Sequence, residues 1–578
     1  MNQNSIPKNK LEKNLFAFGC VLIFLLAFAF VIHKDWSLIF EKDLYAHDES
    51  VNSVVAANLT RKFFPAMVKV NPLVNTQGIW MEVPYWQHIP PLFAYVPLPF
   101  FKIDGQVSIE VKRLSYALVL LLGGIIFIIS VYKFEQNITS LIVATLTTIF
   151  WIFTPFSRHL ITGLDFGTSD IVLAFMVICS FGAFCWYLAN PSSLRKKYPL
   201  WKLIVISLIV ALPILTKNVL GAIPAATFFS LNLYDQRKIN SKFLLSLLSF
   251  IGVIFLYFGS LYLSSPTTFR QEIFVSFSHT QNFEGWARPW YFFLTDYLPK
   301  NYLRLYTPVF ILSVFFGLYQ LFKRKFQGRT KTILTLSIGW FFWNLLVVSL
   351  IKSKSPSFIY QTYLLGLFFA VYVPLIFIEK NLFIIADIKT VITNLSEKKL
   401  LIFKNSLTTL LVLAALITTL IYVNLLYKIP ATRAQVYNYN SEHEHFYHFA
   451  EIEQKNGANP SDIFVLNSSQ NDCWFRYYIL FLTGAEARTF DELLAYNTEV
   501  SSLQNKYQKL YFVIDKSSNL PNISIPHSVE NVDNFQVLIF DANSLDKNYL
   551  DTLKFWLSDS MNRQVYSSNL SCSWLLPK

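Results

Sequence analysis

Apolar residues fall in blocks long enough to cross a bilayer, centred near 15–33, 114–132, 140–156, 169–188, 201–216, 218–233, 243–263, 304–322, 332–351, 358–378 and 407–427. A span needs about 20 apolar residues at 1.5 Å of rise each, and tilted or broken helices need somewhat more or fewer. The pattern predicts about eleven spans, thirteen at most, over residues 1–430. Beyond that the rhythm changes. Short apolar runs (IFVL, KLYFVID, FQVLIFD) alternate with helical-looking stretches (DELLAYNTEVSSLQNKY, DKNYLDTLKFWLSDSM), which predicts a small α/β domain over residues 431–578. The expected architecture is a polytopic α-helical membrane protein with a C-terminal α/β domain.

Charge sets the expected orientation. Lys8, Lys10 and Lys13 precede the first block, and with alternating sides RKK at 195–197, DQRK at 235–238, KRK at 323–325 and EKK at 397–399 share their face. Cytoplasmic loops carry the excess of Lys and Arg, so this is the expected inner face, and an odd number of spans places the C-terminal domain outside. No small-residue cleavage site follows the first block, whose end reads HKDWSLIF, so the N-terminal segment is expected to stay as an uncleaved anchor in the cell (inner) membrane. Two further long segments face outward. Residues 34–112 contain WMEVPYWQHIPPLFAYVPLPFFK, too rich in proline for a span and rich in interfacial Trp and Tyr, and residues 264–303 form the second outer loop.

Composition agrees with this layout: 53% of residues are hydrophobic and 15% charged. The formal net charge of +13 lies mostly in short loops between apolar blocks, and no nucleic-acid motif accompanies it, so nucleic acid is not an expected partner. Cys20, Cys179 and Cys185 sit in apolar runs as packing residues, whereas Cys473 and Cys572 are placed to pair if their region meets an oxidising compartment.

The candidate chemistry gathers on the outer face. Asp48 and Glu49, in LYAHDESVNSVVAANL, follow the first span. Adjacent carboxylates cap a helix N-terminus, and they also serve as a general base toward a hydroxyl or amine. Arg158, Lys217, Arg288, Lys352 and Lys354 are cations placed against the topological bias. One such cation is usually an anchor that snorkels to the interface, but several from separate loops suit the oxygens of a phosphate. Asp165 and Asp170, in GLDFGTSDIVLAF, stand at the start of a span, where capping is the simpler role for Asp170. His88 and His279, near Asp48, Glu49 and Glu82, leave the cofactor open; a divalent metal ion held by His279 and Glu82 is one arrangement they allow, without a tight ligand spacing. SEHEHFYH in the tail lacks the second histidine of HExxH and reads as a solvated helix face.

Taken in order, these motifs resemble the GT-C glycosyltransferases that use polyprenyl-phosphate sugars, the protein mannosyltransferase and lipid A aminoarabinose transferase group. The resemblance rests on the acidic pair in AHDESVNSVVAANL, the proline-rich QHIPPLFAYVPLPFF, Arg113-Leu114 opening the second helix, Asp170, the turn LTKNVLGAIP, the aromatic ARPWYFFLTDYLP and the element SKSPSFIY, over roughly residues 10–380. One departure is Gln87-His88-Ile89-Pro90-Pro91, where relatives often carry Glu-Lys or Lys-Pro-Pro. The resemblance implies Asp48 as catalytic base with Glu49 beside it, the cations and Tyr360 as the grip on the lipid phosphate, and His88, Asp165 and Asp170 lining the substrate pocket. It implies a polyprenyl-phosphate-linked sugar as donor and transfer to a lipid, protein or glycan acceptor outside, with membrane lipids as the surrounding partners. A transporter or flippase for lipid-linked saccharides is the alternative, but it would place ionisable groups near mid-membrane and often show internal repeats.

The topology has a direct check. Protease added to right-side-out spheroplasts should release the region beyond residue 430, and full protection of that region would overturn the shared outer face.

Overall fold

A computed structural model describes residues 10–40, 91–162, 168–264, 288–297, 306–352, 356–393, 446–466, 485–489, 500–515 and 527–546, with short interruptions, and single positions elsewhere. The chain divides into two units. One combines Met1–Ile39, Arg113–Ser260 and Phe274–Thr432; the other combines Phe40–Lys112, Leu261–Ile273 and Arg433–Lys578.

The first unit is a helical bundle. Its helices are α1 (Lys10–Lys34), α2 (Ile109–Glu135), α3 (Ile138–Phe153), α4 (Pro155–Thr162), α5 (Thr168–Leu188), α6 (Leu200–Lys217), α7 (Ile223–Gln236), α8 (Ser241–Ser264), α9 (Tyr306–Phe322), α10 (Gly328–Leu350) and α11 (Tyr360–Thr393). Among the described residues seven helices are long and apolar enough to span, and α3 with α4, bent by 60° at Thr154, makes an eighth. Two other expected spans are the shorter helices α7 and α9, and most of the block at 407–427 lies outside the described residues. The long apolar helices make this an integral membrane protein.

The start of α11 is the centre. Of its window Tyr360–Phe377, 78% is buried, and it packs on α3, α5, α9 and α10. Lipid tails are as apolar as leucine, so helices in a bilayer associate through close packing and hydrogen bonds rather than hydrophobic drive. Aromatic rings supply that packing here: Phe127 of α2 meets Phe181 of α5 at 5.6 Å and Phe368 of α11 at 5.5 Å, and Phe184 of α5 meets Trp340 of α10 at 5.2 Å, edge to face. Several polar side chains are satisfied within the bundle. Trp340 Nε1 donates to Thr227 Oγ1 at 3.0 Å, and Thr145, Thr147 and Thr148 of α3 bond carbonyls one turn back. Pro213 inside α6 has no N–H for the carbonyl of Ile209, and Ser180 Oγ of α5 reaches that carbonyl at 3.4 Å. In contrast, α8 is only 11% buried and presents Leu248, Phe255 and Leu256 outward.

The loops sort into two sets. At one end Arg195 pairs with Asp235 (2.6 and 2.8 Å), Arg329 donates to the carbonyls of Phe134 and Ala189, and Thr330 bonds Glu135. These are the loops expected on the inner face. Every pairing of the expected outer loops described below joins the other ends of the same helices.

In the second unit, residues 68–85 form two antiparallel pairs of two-residue strands, β1 (Val68–Lys69) with β4 (Pro84–Tyr85) and β2 (Leu73–Val74) with β3 (Trp80–Met81). The proline-rich segment continues as a 3₁₀ turn, Pro91–Tyr95, and a short helix, Leu98–Asp104. The tail holds β5 (Ile463–Leu466), β6 (Glu486–Thr489), β7 (Lys509–Asp515), β8 (His527–Val532) and β9 (Phe535–Asp541) in one sheet of order β6-β5-β7-β9-β8. Its first three strands are parallel and the last two antiparallel additions. Alternation places Tyr511 and Val513 on one face with Phe464, and helix Phe446–Lys455 lays Phe449 and Ile452 on that core. On the other side of this helix His448 meets the exposed Glu451 at 3.1 Å.

Gly221 ends the turn after α6, where a Cβ would stand 2.2 Å from the Pro213 carbonyl. At Gly366 of α11 its nearest contacts would be the Phe341 ring, 2.6 Å away, and a ring can turn aside. Overpacking usually costs about 1–3 kcal/mol, and immovable backbone puts a site at the upper end. Gly221→Ala should therefore lower the melting temperature of the purified protein more than Gly366→Ala.

Candidate active site

One end of the bundle collects the expected outer-face residues. α1 stops at Lys34, and Asp35 follows it, with its carboxylate turned into the bundle. The bend at Thr154 redirects the chain into α4, whose second turn carries Arg158 to that carboxylate. Arg158 Nε and Nη2 donate to the two Asp35 oxygens at 2.7 and 2.6 Å, and both residues are at most 3% exposed. Parallel N–H···O bonds of this kind fix a guanidinium in orientation as well as in charge. Beside it, Ser157 Oγ shares a hydrogen bond of 2.8 Å with Tyr360 Oη, and the Tyr360 ring stacks on Trp151 at 5.5 Å. The hydroxyl that opens α11 is thereby locked to the bend between α3 and α4.

Asp170, in the first turn of α5, is 1% exposed and accepts from Lys217 Nζ at 2.5 Å. Lys217 ends α6, and its ammonium lies 5.1 Å from the centre of the Phe358 ring. The turn closed at Gly221 places Lys217 there, next to the element that leads into Tyr360. Asp170 takes one of the three ammonium hydrogens.

Two other cations differ. Arg288 N donates to the Lys352 carbonyl at 3.2 Å, joining two loops 64 positions apart, and both residues are exposed. The turn Phe293–Tyr297 packs against Pro356–Ile359 and supports this junction. Neither Arg288 nor Lys352 forms an ion pair with a described residue. Of the five expected outer-face cations four are described, and they divide: Arg158 and Lys217 are paired with buried aspartates, whereas Arg288 and Lys352 are exposed and have no acidic partner among the described residues.

Asp48, Glu49, Glu82, His88, Asp165, His279 and Lys354 lie outside the described residues. Among the described residues no three His, Cys, Asp or Glu side chains gather around a common point that would hold a metal ion. Asp35 is the partner of Arg158 that the sequence did not single out. Its only signal is a lone acid just after a span, in HKDW, and its partner is 123 positions away. Arg113, at the start of α2, donates to the Leu38 carbonyl at 3.0 Å and so ties the second span to the end of the first.

A helical membrane bundle with buried charged pairs at both ends and an α/β tail defines a polytopic membrane protein, and the solved structures it matches give it the GT-C fold. No family model matches the sequence, and no curated protein does. Solved structures do match over nearly the whole chain. The apo crystal structure of ArnT, a lipid A aminoarabinose transferase from Cupriavidus metallidurans, superposes with a TM-score of 0.53 at 14% identity, covering 92% of this chain and 99% of that one. The same protein bound to undecaprenyl phosphate gives 0.54 at 14% identity, covering 90% and 98%. At this identity the likeness establishes the fold.

The Asp35–Arg158 pair has a thermodynamic signature. Removing one partner of a buried ion pair strands the other charge and costs about 3–5 kcal/mol. Asp35→Ala and Arg158→Ala should each lower the melting temperature strongly. An Asp35→Leu/Arg158→Met double variant should cost less than the sum, as measured by thermal unfolding in detergent.

Proposed function

We propose that this protein is a membrane glycosyltransferase that moves a sugar from a polyprenyl-phosphate donor to an acceptor at the outer face, with inversion. The observation that carries this reading is the junction of Arg288 and Lys352, two exposed cations at the same end of the bundle as two neutralised pairs. An anionic headgroup at the end of a lipid chain is a fitting ligand for such a place, and the matching ArnT structure holds undecaprenyl phosphate. Charges that collect at the ends of the bundle, rather than along its middle, favour a transferase over a transporter.

In this mechanism Asp48 removes the proton from the acceptor hydroxyl or amine. The freed lone pair attacks the anomeric carbon in line, the bond from that carbon to the phosphate oxygen breaks, and the polyprenyl phosphate leaves with its charge balanced by Arg288, Lys352 and Lys354. Preorganised cations act where negative charge grows on the leaving group. The Asp170–Lys217 and Asp35–Arg158 pairs hold the surrounding helix ends, so that the binding groups need not rearrange. Adjacent residues on a helix point about 100° apart, so Asp48 and Glu49 have different tasks, with Glu49 supporting or capping.

Asp48→Asn keeps the size of the side chain but removes the proton acceptor. It should leave polyprenyl-phosphate binding intact, read by native mass spectrometry, and lower transfer by roughly 10²–10⁴-fold, with Glu49→Gln milder. Arg288→Ala should instead weaken donor binding by about 1.5–3 kcal/mol, the worth of a hydrogen bond to a charged group. Transfer at the wild-type rate by Asp48→Asn would remove the base from this stretch. Unchanged donor binding by Arg288→Ala and Lys352→Ala would return those cations to the role of interfacial anchors.

A further inference from the structure

The opposite end of the bundle holds a second cation site that the transfer reaction does not use. Lys202, at the start of α6, places its ammonium 5.2 Å from the Trp186 ring centre, 5.0 Å from Tyr198 and 5.7 Å from Trp201. Three rings from two helix ends and the loop between them thus surround one charge. The ammonium has no hydrogen bond or ion pair with a described residue. We propose that Trp186, Tyr198, Trp201 and Lys202 form a binding site for the phosphodiester headgroup of an anionic phospholipid.

The cage is held in place before any ligand arrives. Tyr198 is 6% exposed; its hydroxyl accepts from Asn190 Nδ2 at 2.6 Å and donates to the Tyr187 carbonyl at 3.2 Å. The loop that carries it is pinned by the bidentate Arg195–Asp235 pair, which Tyr187 Oη joins at 2.8 Å. Trp186 and Trp201 are 41% and 58% exposed, with centroids 6.5 Å apart, at the ends of two spans. Half-exposed tryptophans at such ends sit at headgroup depth. Ring faces attract the ammonium electrostatically but leave its strong hydrogen-bond donors to an oxygen acceptor.

Charge selects an anion. The stretch RKKYPLWK, residues 195–202, has four cations and no acid, and the nearby Asp235 is already matched by Arg195. Lys242, from α8, adds a second ammonium by donating to the Tyr198 carbonyl at 3.0 Å. A zwitterionic headgroup would bring its own cation into this field, whereas an anionic one would not. The hydrocarbon beside the exposed indoles accommodates the acyl chains.

The test uses the full-length protein in nanodiscs of equal parts phosphatidylglycerol and phosphatidylcholine, with retained lipids identified by native mass spectrometry. Wild type should keep phosphatidylglycerol selectively. Lys202→Gln should cut that selectivity about fivefold, the weight of one cation near a membrane surface. Lys202→Arg should preserve it. Lys323→Gln removes the same charge at the same end of the bundle from over a single ring, Tyr319 at 5.7 Å, and should leave the selectivity unchanged. Trp201→Leu, which removes a wall of the cage at an exposed position, should act like Lys202→Gln and guards against a folding effect in the first variant. The proposal is overturned by unchanged selectivity in both Lys202→Gln and Trp201→Leu, by equal loss in Lys323→Gln, or by displacement of the lipid with inorganic phosphate, which would mark a site for a free anion.

Discussion

A charged side chain at the end of a membrane helix has no bulk water to solvate it once neighbouring helices close over it, so it needs a counter-charge from the protein itself. The bidentate contact between Arg158 and Asp35 meets that need at one end of the bundle, with both groups almost fully buried. Pro155, which has no N–H to continue α3, makes the bend between α3 and α4, and the bend serves this contact. A straight continuation would carry Arg158 along the helix axis, away from the end of α1, whereas the 60° turn brings it to Asp35 and leaves Ser157 facing Tyr360. One electrostatic requirement thereby links the first span, the broken third and the central helix.

The same requirement separates structural cations from candidate ligand-binding ones. Lys217 is held by Asp170, as Arg158 is by Asp35, and each pair makes a stiff, nearly neutral unit. Arg288 and Lys352 meet through the backbone instead and keep their charges exposed. A site that binds a phosphate benefits from both kinds: rigid neutral surroundings that need not reorganise, and open charges aimed at the ligand. In the proposed reaction the developing charge on the leaving phosphate falls to the second group.

Between the two ends the bundle is knit by rings and close approaches rather than by charge. Phe127, Phe181, Phe184, Trp340 and Phe368 interlock around α11, and Gly366 lets the Phe341 ring lie against that helix. Such a core keeps the ends apart and lets them differ in chemistry. One end offers cations beside buried aspartates; the other offers a lysine among aromatic rings.

Much of the architecture follows from the chain by itself, because hydrocarbon enforces length and apolarity on each spanning helix and those are local properties. The blocks near 15–33, 114–132, 169–188, 201–216, 243–263, 332–351 and 358–378 appear as long helices, and the alternation of IFVL, KLYFVID and FQVLIFD appears as β5, β7 and β9. Local sequence also marked Arg158 and Lys217 as cations against the topological bias and Asp170 at the start of a span, and the family resemblance added Tyr360. It did not indicate how they pair. Asp35 lies 123 positions from Arg158 and Asp170 lies 47 from Lys217, and nothing in the stretches around them specifies a partner. Periodicity reports only which neighbours share a helix face. Which buried charge neutralises which was decided by the packing of helices distant in sequence.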